Sequence, residues 1–456
     1  MRIDFLTLHN YRCFDDVRIE FNDRLTVMVA PNGGGKTAIL DAIAVAFSPF
    51  VGKTGTAKGK KFRVQDSRRT FVSAGSNGAK TLSPFQEIVL EATGELEGQE
   101  VSWKRRRLTE KGDTTSREAS FLADCATRLL RKISDTDEAP KTVLPIIAHY
   151  GTGRLWGPGQ FRVTEKGKAL LPRNFGYQGC LSSSSKFESF KAWFGAAYFS
   201  MLAGRIQQLD SGISTPEQAL LEDAVNNVRS AVRSVLKPYG DCWLDYESTK
   251  REIVITDGSR LTQLGLDQQS DGVQVMLAMV GDIATRTSLL NPQFGDKAAE
   301  CTPGIVLIDE VDMHLHPSWQ QMVLQSLRDA FPNVQFIVTT HSPQVLTTIR
   351  KENIRILACD EDGKWTARAP AASPLARESG DALANIMGTH PRPEISNILP
   401  TIYDYEQLVR SGHGDSDEAR KIKAQLDAEG FEFSAAEQAL FNFLTRKANR
   451  LEADNP

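Results

Sequence analysis

The chain has 456 residues, 41% hydrophobic and 24% charged, a globular composition long enough for about two to three domains. A formal net charge of −3 does not mark a general nucleic-acid binder, and six scattered cysteines (Cys13, Cys125, Cys180, Cys242, Cys301, Cys359) with no C-x-x-C pair read as reduced thiols, which excludes a disulfide framework or zinc site. A strand pattern at the very start, no charged-then-apolar leader and no apolar run near the ~20 residues of a bilayer span lead us to expect a cytoplasmic chain outside the membrane.

Arg2–Leu8, Val17–Glu20 and Leu25–Val29 read as strands, the last an apolar run suited to a buried position. The loop Ala30–Gly35 follows, then an apolar helix pattern from Lys36 to about Phe47. The polar stretch Val51–Lys80 reads as a mobile surface segment. Gln86–Thr93 and Glu100–Leu108 predict two antiparallel strands, and Val143–His149 a buried one. From about Lys186 to Leu236 the apolar residues take helical spacing, with Phe187, Phe190, Trp193 and Phe194 in one cluster. Trp243–Tyr246 and Glu252–Thr256 return to strand patterning, and Gly272–Thr287 reads as a helix. Ile305–Ile308 and Gln335–Thr339, with a helix Trp319–Ala330 between them, form a strand–helix–strand unit of a parallel sheet. From Pro391 onward the chain is charged and helix-prone. The sequence carries no internal repeat and no sustained heptad pattern.

Two segments carry the strongest chemistry. Ala30-Pro31-Asn32-Gly33-Gly34-Gly35-Lys36-Thr37 stands between a strand and a helix. Consecutive glycines let backbone N–H groups close on an anion, and the helix start adds its positive dipole. In a phosphate-binding loop of this kind Lys36 reaches the β- and γ-phosphates and Thr37 offers its hydroxyl to Mg²⁺. Gly304–Ile308 then delivers Asp309 and Glu310 to the C-terminal edge of a strand, where open α/β sheets bind ligands. Asp309 suits a water of the Mg²⁺ shell, and Glu310 suits the attacking water as base or orienter. After the next strand, Thr339-Thr340-His341-Ser342-Pro343 offers His341 to the γ-phosphate and that water. Ser270-Asp271-Gly272 opens a helix, either as an ordinary cap or as a helix start that meets the γ-phosphate bound by a second copy.

The order of these motifs resembles the ABC-type ATPase heads of the SMC, RecF and OLD group. Asn10-Tyr11-Arg12-Cys13-Phe14 is similar to that group's N-terminal element, which implies that Arg12 approaches the nucleotide. Asn32 and Gly33 match the Walker A loop of the family, with Ala30 where Gly is usual. Ser270-Asp271-Gly272 is similar to the signature motif, with Gln269 in place of the usual Leu. Asp312-Met313-His314-Leu315-His316-Pro317 resembles the D-loop after the Walker B Glu310, and Gln65 is the candidate Mg²⁺-sensing glutamine.

The resemblance implies an α/β fold: an ABC-ATPase head, with a P-loop parallel sheet and an antiparallel β subdomain, plus a helical insert and a C-terminal helical tail. The expected division is 1–185 for the N-terminal lobe, 186–240 for the insert, 241–390 for the C-terminal lobe and 391–456 for a tail serving partner or self-association. Without long coiled coils or room for a Toprim nuclease domain, and with Tyr150-Gly151-Thr152-Gly153-Arg154-Leu155-Trp156, the chain looks like the PtuA ATPases of Septu-type and retron-linked antiphage systems. That likeness implies ATP and Mg²⁺, a homodimer or higher oligomer through the heads, and an HNH nuclease partner resembling PtuB. Three alternatives stay open. A DNA-repair ATPase binding duplex DNA would use the basic run Lys104-Arg105-Arg106-Arg107. A slow-turnover scaffold would hold ATP as a sensed ligand. A transporter motor would need a membrane partner, and the Arg12 element and His314-Leu315-His316-Pro317 speak against it.

Overall fold

A computed structural model describes residues 1–74, 79–153, 171–183, 187–237, 240–256, 263–389, 392 and 397–453. The chain divides into two compact units, Met1–Met387 and Gly388–Pro456.

The first unit is built on a six-stranded sheet. Its order is Trp365–Arg368, Ile354–Cys359, Leu25–Val29, Val334–Thr339, Gly304–Ile308, Ile146–Tyr150. Neighbours pair in parallel except at the Trp365–Arg368 edge, which is antiparallel. Leu25–Val29, Val334–Thr339, Gly304–Ile308 and Ile146–Tyr150 are buried along their whole length. Such continuous apolar runs belong to strands covered on both faces, which is why they carry no alternation. A four-stranded antiparallel sheet stands beside it in the order Phe14–Glu20, Arg2–Tyr11, Ile88–Leu96, Gln99–Arg107. The fold is thus an α/β ABC-ATPase head with a parallel P-loop sheet and an antiparallel β subdomain.

Helix Asp271–Leu290 runs through the core, with most of its residues buried. It is long and apolar enough by length and composition to cross a membrane, but 94% of the apolar window lies inside the fold. The 20-residue apolar span not seen in the sequence is therefore a core helix here. Its two interior charges are paired: Arg286 and Asp282 are both buried, and Arg286 Nε donates to Asp282 Oδ2 at 2.7 Å. Tyr150 also donates to Asp282 Oδ2, at 2.6 Å, and Arg286 reaches the carbonyls of Gly176 and Gln178. Burial and the adjacent Asp282 carboxylate hold the Tyr150 phenol well above its ordinary pKa. Helices Phe187–Ser211 and Pro216–Leu236 pack on this helix, and a three-stranded sheet, Trp243–Glu247, Glu252–Thr256 and Gln263–Gly265, follows them.

Two local expectations are corrected, and one strand pair is added. Val51–Lys80, expected as a mobile surface segment, contains buried Thr54, Phe62, Asp66 and Ser67. Its residues 66–68 bond the backbone at the end of the first strand and just beyond it, with Arg12 N to Asp66 O at 2.7 Å and Arg68 N to Asn10 O at 2.9 Å. Polar composition hid this because the anchoring groups are backbone amides and carboxylates. The helix expected over Trp319–Ala330 is two pieces, Pro317–Gln320 and Val323–Ala330. The strand pair Ile354–Cys359 and Trp365–Arg368 was not legible, being short and only half-buried at the sheet edge.

The second unit has its own core of Ile402, Tyr405, Val409, Ala419, Leu426, Phe433 and Phe441, from helices Leu399–Arg410, Asp417–Ala428 and Ala435–Ala453 and the turn before the last. Arg392 joins Glu406 and Glu437 at 2.7 Å each. Ser416 caps the middle helix through Ala419 N at 3.1 Å.

Candidate nucleotide site

The site grows from the end of strand Leu25–Val29. Gly33 and Gly35 take positive φ, 78° and 81°, which lets the loop coil back before helix Lys36–Ala46 begins. At Gly35 a Cβ would stand 2.2 Å from Phe14 Cζ and 2.7 Å from Cys13 Sγ, so only glycine fits against the N-terminal element. Lys36 is buried, and its ammonium donates to the carbonyls of Ala30 (2.7 Å) and Pro31 (3.3 Å) within the loop. Burial depresses its pKa, against the pull of Asp309, Glu310 and Asp312.

The parallel sheet brings the distant carboxylates to this loop. Thr37 Oγ1 donates to Asp309 Oδ2 at 2.7 Å. Asp309 Oδ1 accepts from Thr339 Oγ1 at 2.6 Å, and Thr339 Oγ1 in turn accepts from Glu310 N at 2.7 Å. Glu310 sits at φ 49°, a left-handed conformation costly for a residue with a side chain and often kept at functional sites. A 350 Å³ cleft collects Arg12, Cys13, Asn32, Gly33, Gly34, Gly35, Lys36, Thr37, Ala38, Asp309, Glu310 and His341. The structure therefore places together all the predicted residues except Ser270, Gly272 and Gln65, which are not among the residues lining the cleft. Hydroxyl and carboxylate at hydrogen-bond distance are hard oxygen donors, so Thr37 and Asp309 fit a Mg²⁺ ion.

Arg12 lines the cleft at φ 53°. Its Nε donates to Asp66 (2.9 Å) and its Nη2 to Asp41 (2.8 Å), while Lys60 also pairs with Asp41. Burial disfavours the Arg12 charge, but Tyr11, Asp41 and Asp66 outweigh it and raise its pKa. Likewise, burial would raise the Asp41 pKa, but Lys60 and Arg12 hold it below the ordinary carboxylate value. Gln65 is exposed in the turn Val64–Asp66, directly before Arg12's partner Asp66.

Ser270 is exposed at the start of helix Asp271–Leu290, and its hydroxyl makes no capping bond. Gly272 is buried against the turn after Glu310: a Cβ there would lie 2.3 Å from His314 O. That turn is fixed by Thr340 Oγ1 donating to Asp312 Oδ1 at 2.5 Å, and His314 is held at φ 63°. Ser342 caps the next helix and donates to Gln320 Oε1 at 2.6 Å. The roles of Thr339, Thr340, Asp41 and Asp66 escaped the sequence reading, although both threonines stand in the segment before His341. Threonine at a strand end is ordinary, and no local spacing names its partner.

The basic run is largely absorbed within the chain. Lys104 pairs with Glu91 (2.6 Å) and Arg106 with Glu118 (3.1 Å). Arg107 donates to the carbonyls of Phe62 and Glu110, and Arg105 is buried against Val45 O. Of the segment beginning at Tyr150, Arg154, Leu155 and Trp156 lie outside the described residues. Among the described residues no group of three or more His, Cys, Asp and Glu stands ready to hold a metal.

The sheet, its loop and the paired carboxylates define an ABC-type ATPase of the SMC/RecF-like group. A family model described as "AAA domain, putative AbiEii toxin, Type IV TA system" matches residues 25–347, and the chain belongs to that family. It is 27% identical to "Retron Vc95 probable ATPase" of Vibrio cholerae, across 93% of this chain and 86% of that one. It is 31% identical to "Septu protein PtuA" of Bacillus mycoides over 32% of this chain and 19% of that one. An SMC head domain from Thermotoga maritima is 18% identical, covers 81% of this chain and 99% of its own, and gives a TM-score of 0.40. The protein is an ATPase of this family, similar to the retron probable ATPase and to Septu PtuA.

Proposed function

We propose that the chain binds Mg²⁺–ATP in the cleft, hydrolyses it, and uses the cycle to open and close a pair of heads that controls a nuclease partner. The observation that carries this is the gathering of Lys36, Thr37, Asp309, Glu310 and His341 on one cleft from three separate parts of the sequence.

Backbone N–H groups of Gly33–Gly35 and the start of helix Lys36–Ala46 would hold the phosphates. Lys36 would exchange its two loop carbonyls for β- and γ-phosphate oxygens, a stronger, charge-assisted contact. A Mg²⁺ ion held by Thr37 and Asp309 supplies charge neutralisation at the phosphate oxygens. Glu310 would orient the attacking water and accept its proton as the bond from the γ-phosphorus to the ADP oxygen breaks. His341 would hydrogen-bond the γ-phosphate from the end of the neighbouring strand Val334–Thr339.

Two copies would complete each other. Ser270, exposed at a helix start with its hydroxyl free of any capping role, is suited to meet the γ-phosphate held by a second head. The retron and Septu relatives support a partnered defence role, and an HNH nuclease of the PtuB kind is the partner we infer. The tail, 391–456, is the segment we assign to partner or self-association.

Glu310→Gln tests the core of this reading. It should retain ATP, lose phosphate release and accumulate as an ATP-dependent dimer in mass photometry. Parent-level phosphate release by Glu310→Gln overturns the role given to Glu310.

A further inference from the structure

The most completely determined polar group near the site is one that neither phosphate nor metal would touch. Thr339 is fully buried at the last residue of strand Val334–Thr339. Its hydroxyl has one proton to give and lone pairs to receive with, and both are used. The proton goes to Asp309 Oδ1 at 2.6 Å, and the oxygen accepts from Glu310 N at 2.7 Å. Thr339 O also accepts from Val311 N at 2.9 Å. One residue thus fixes the carboxylate of Asp309 and the backbone on both sides of Glu310.

What is fixed matters in each case. The Thr339 bond occupies Oδ1 of Asp309 and leaves Oδ2 facing Thr37, which is the direction a metal would take. Glu310 at φ 49° is held in an unfavoured conformation, and its N–H bond to Thr339 is one restraint that keeps it there. Rotation about this peptide would swing the Glu310 carboxylate away from the water it orients.

We infer that Thr339 is a positioning residue for ATP hydrolysis, setting Asp309 toward the metal and Glu310 toward the attacking water. This rests on the proposed roles of Asp309 and Glu310. Groups that orient metal ligands from the second layer typically change metal affinity or activity by about 10- to 100-fold when removed.

The test compares Thr339→Val, Thr339→Ser and Thr339→Ala in the full chain. Calorimetry with a non-hydrolysable ATP analogue is run with Mg²⁺ and with EDTA. For Thr339→Val we expect unchanged affinity in EDTA, a loss of about 10-fold in the gain that Mg²⁺ confers, and a kcat lower by about 10- to 100-fold. Thr339→Ser keeps the hydroxyl and should restore both. If Val disturbs packing, the Ser and Ala variants, nearly equal in size, still isolate the hydroxyl. Parent-like Mg²⁺ dependence in Thr339→Val, or a Ser variant as impaired as Ala, overturns the inference. Asp309→Asn separates this from failure of the underlying reading: parent-like Mg²⁺ dependence there would sink the metal role itself, whereas an impaired Asp309→Asn beside fully active Thr339 variants sinks only Thr339's part.

Discussion

The hydroxyl of Thr37 donates to the carboxylate of Asp309 across 2.7 Å although 272 positions separate them in the chain. This contact joins the glycine-rich loop to the strand-end carboxylates, and the proposed Mg²⁺–ATP site rests on it.

Lys36 sets the first expectation. Lys36→Ala removes a buried ammonium that only loop carbonyls hold by hydrogen bonds at present. Charge-assisted hydrogen bonds contribute about 1.5–3 kcal/mol, so ATP affinity should fall by about 10- to 100-fold or more in calorimetry.

Cysteine reactivity reports the site independently of turnover. Cys13 lines the cleft, and burial pushes its thiol pKa up. Because the thiolate is the reactive form, alkylation of Cys13 should be slow near neutral pH and quicken as pH rises, and ATP should suppress it. Cys125, pushed to about 12 by burial and by Glu97, should stay unmodified in the folded protein at about pH 8. Exposed Cys359 should react freely under the same conditions, as read by peptide mass spectrometry.

Gly272 couples the proposed signature segment to the turn after Glu310. Gly272→Ala places a methyl 2.3 Å from His314 O, against backbone that cannot rotate away. Overpacking of this kind costs about 1–3 kcal/mol, visible as a lower melting temperature. ATP-dependent dimerisation should weaken alongside it, because the start of helix Asp271–Leu290 must shift.

The buried Arg286–Asp282 pair should behave as a structural unit. Arg286→Met leaves the Asp282 carboxylate buried with only the Tyr150 hydroxyl among its bonds noted above, a change that typically costs about 3–5 kcal/mol. Tyr150→Phe removes one hydrogen bond and should cost about 1–3 kcal/mol. A double-mutant cycle in denaturant should show coupling between the two positions.

Much of the site was legible because its signals are local. Gly33-Gly34-Gly35-Lys36-Thr37 needs only a strand before it and a helix after it, and both are written in the neighbouring twenty or so residues as hydrophobic pattern. The same holds for Asp309-Glu310 at the end of a four-residue apolar run. What those motifs touch was not legible. Thr339, Asp41, Asp66 and Tyr150 look like ordinary polar or aromatic residues in sequence, and the basic run 104–107 looked available until Glu91 and Glu118 proved to be its partners.

The amino-acid order by itself determined which residues could serve a triphosphate, since backbone freedom at glycine and the chemistry of Lys36, Thr37 and the two carboxylates are properties of the residues and their immediate neighbours. Only the tertiary structure decided which of them meet. Strand order in a parallel sheet is set by crossover helices burying their apolar faces, and that long-range choice brings Gly304–Ile308 and Val334–Thr339 to the loop after Leu25–Val29. Side-chain periodicity states which face is inside, but it does not state whose carboxylate lies across from whose hydroxyl.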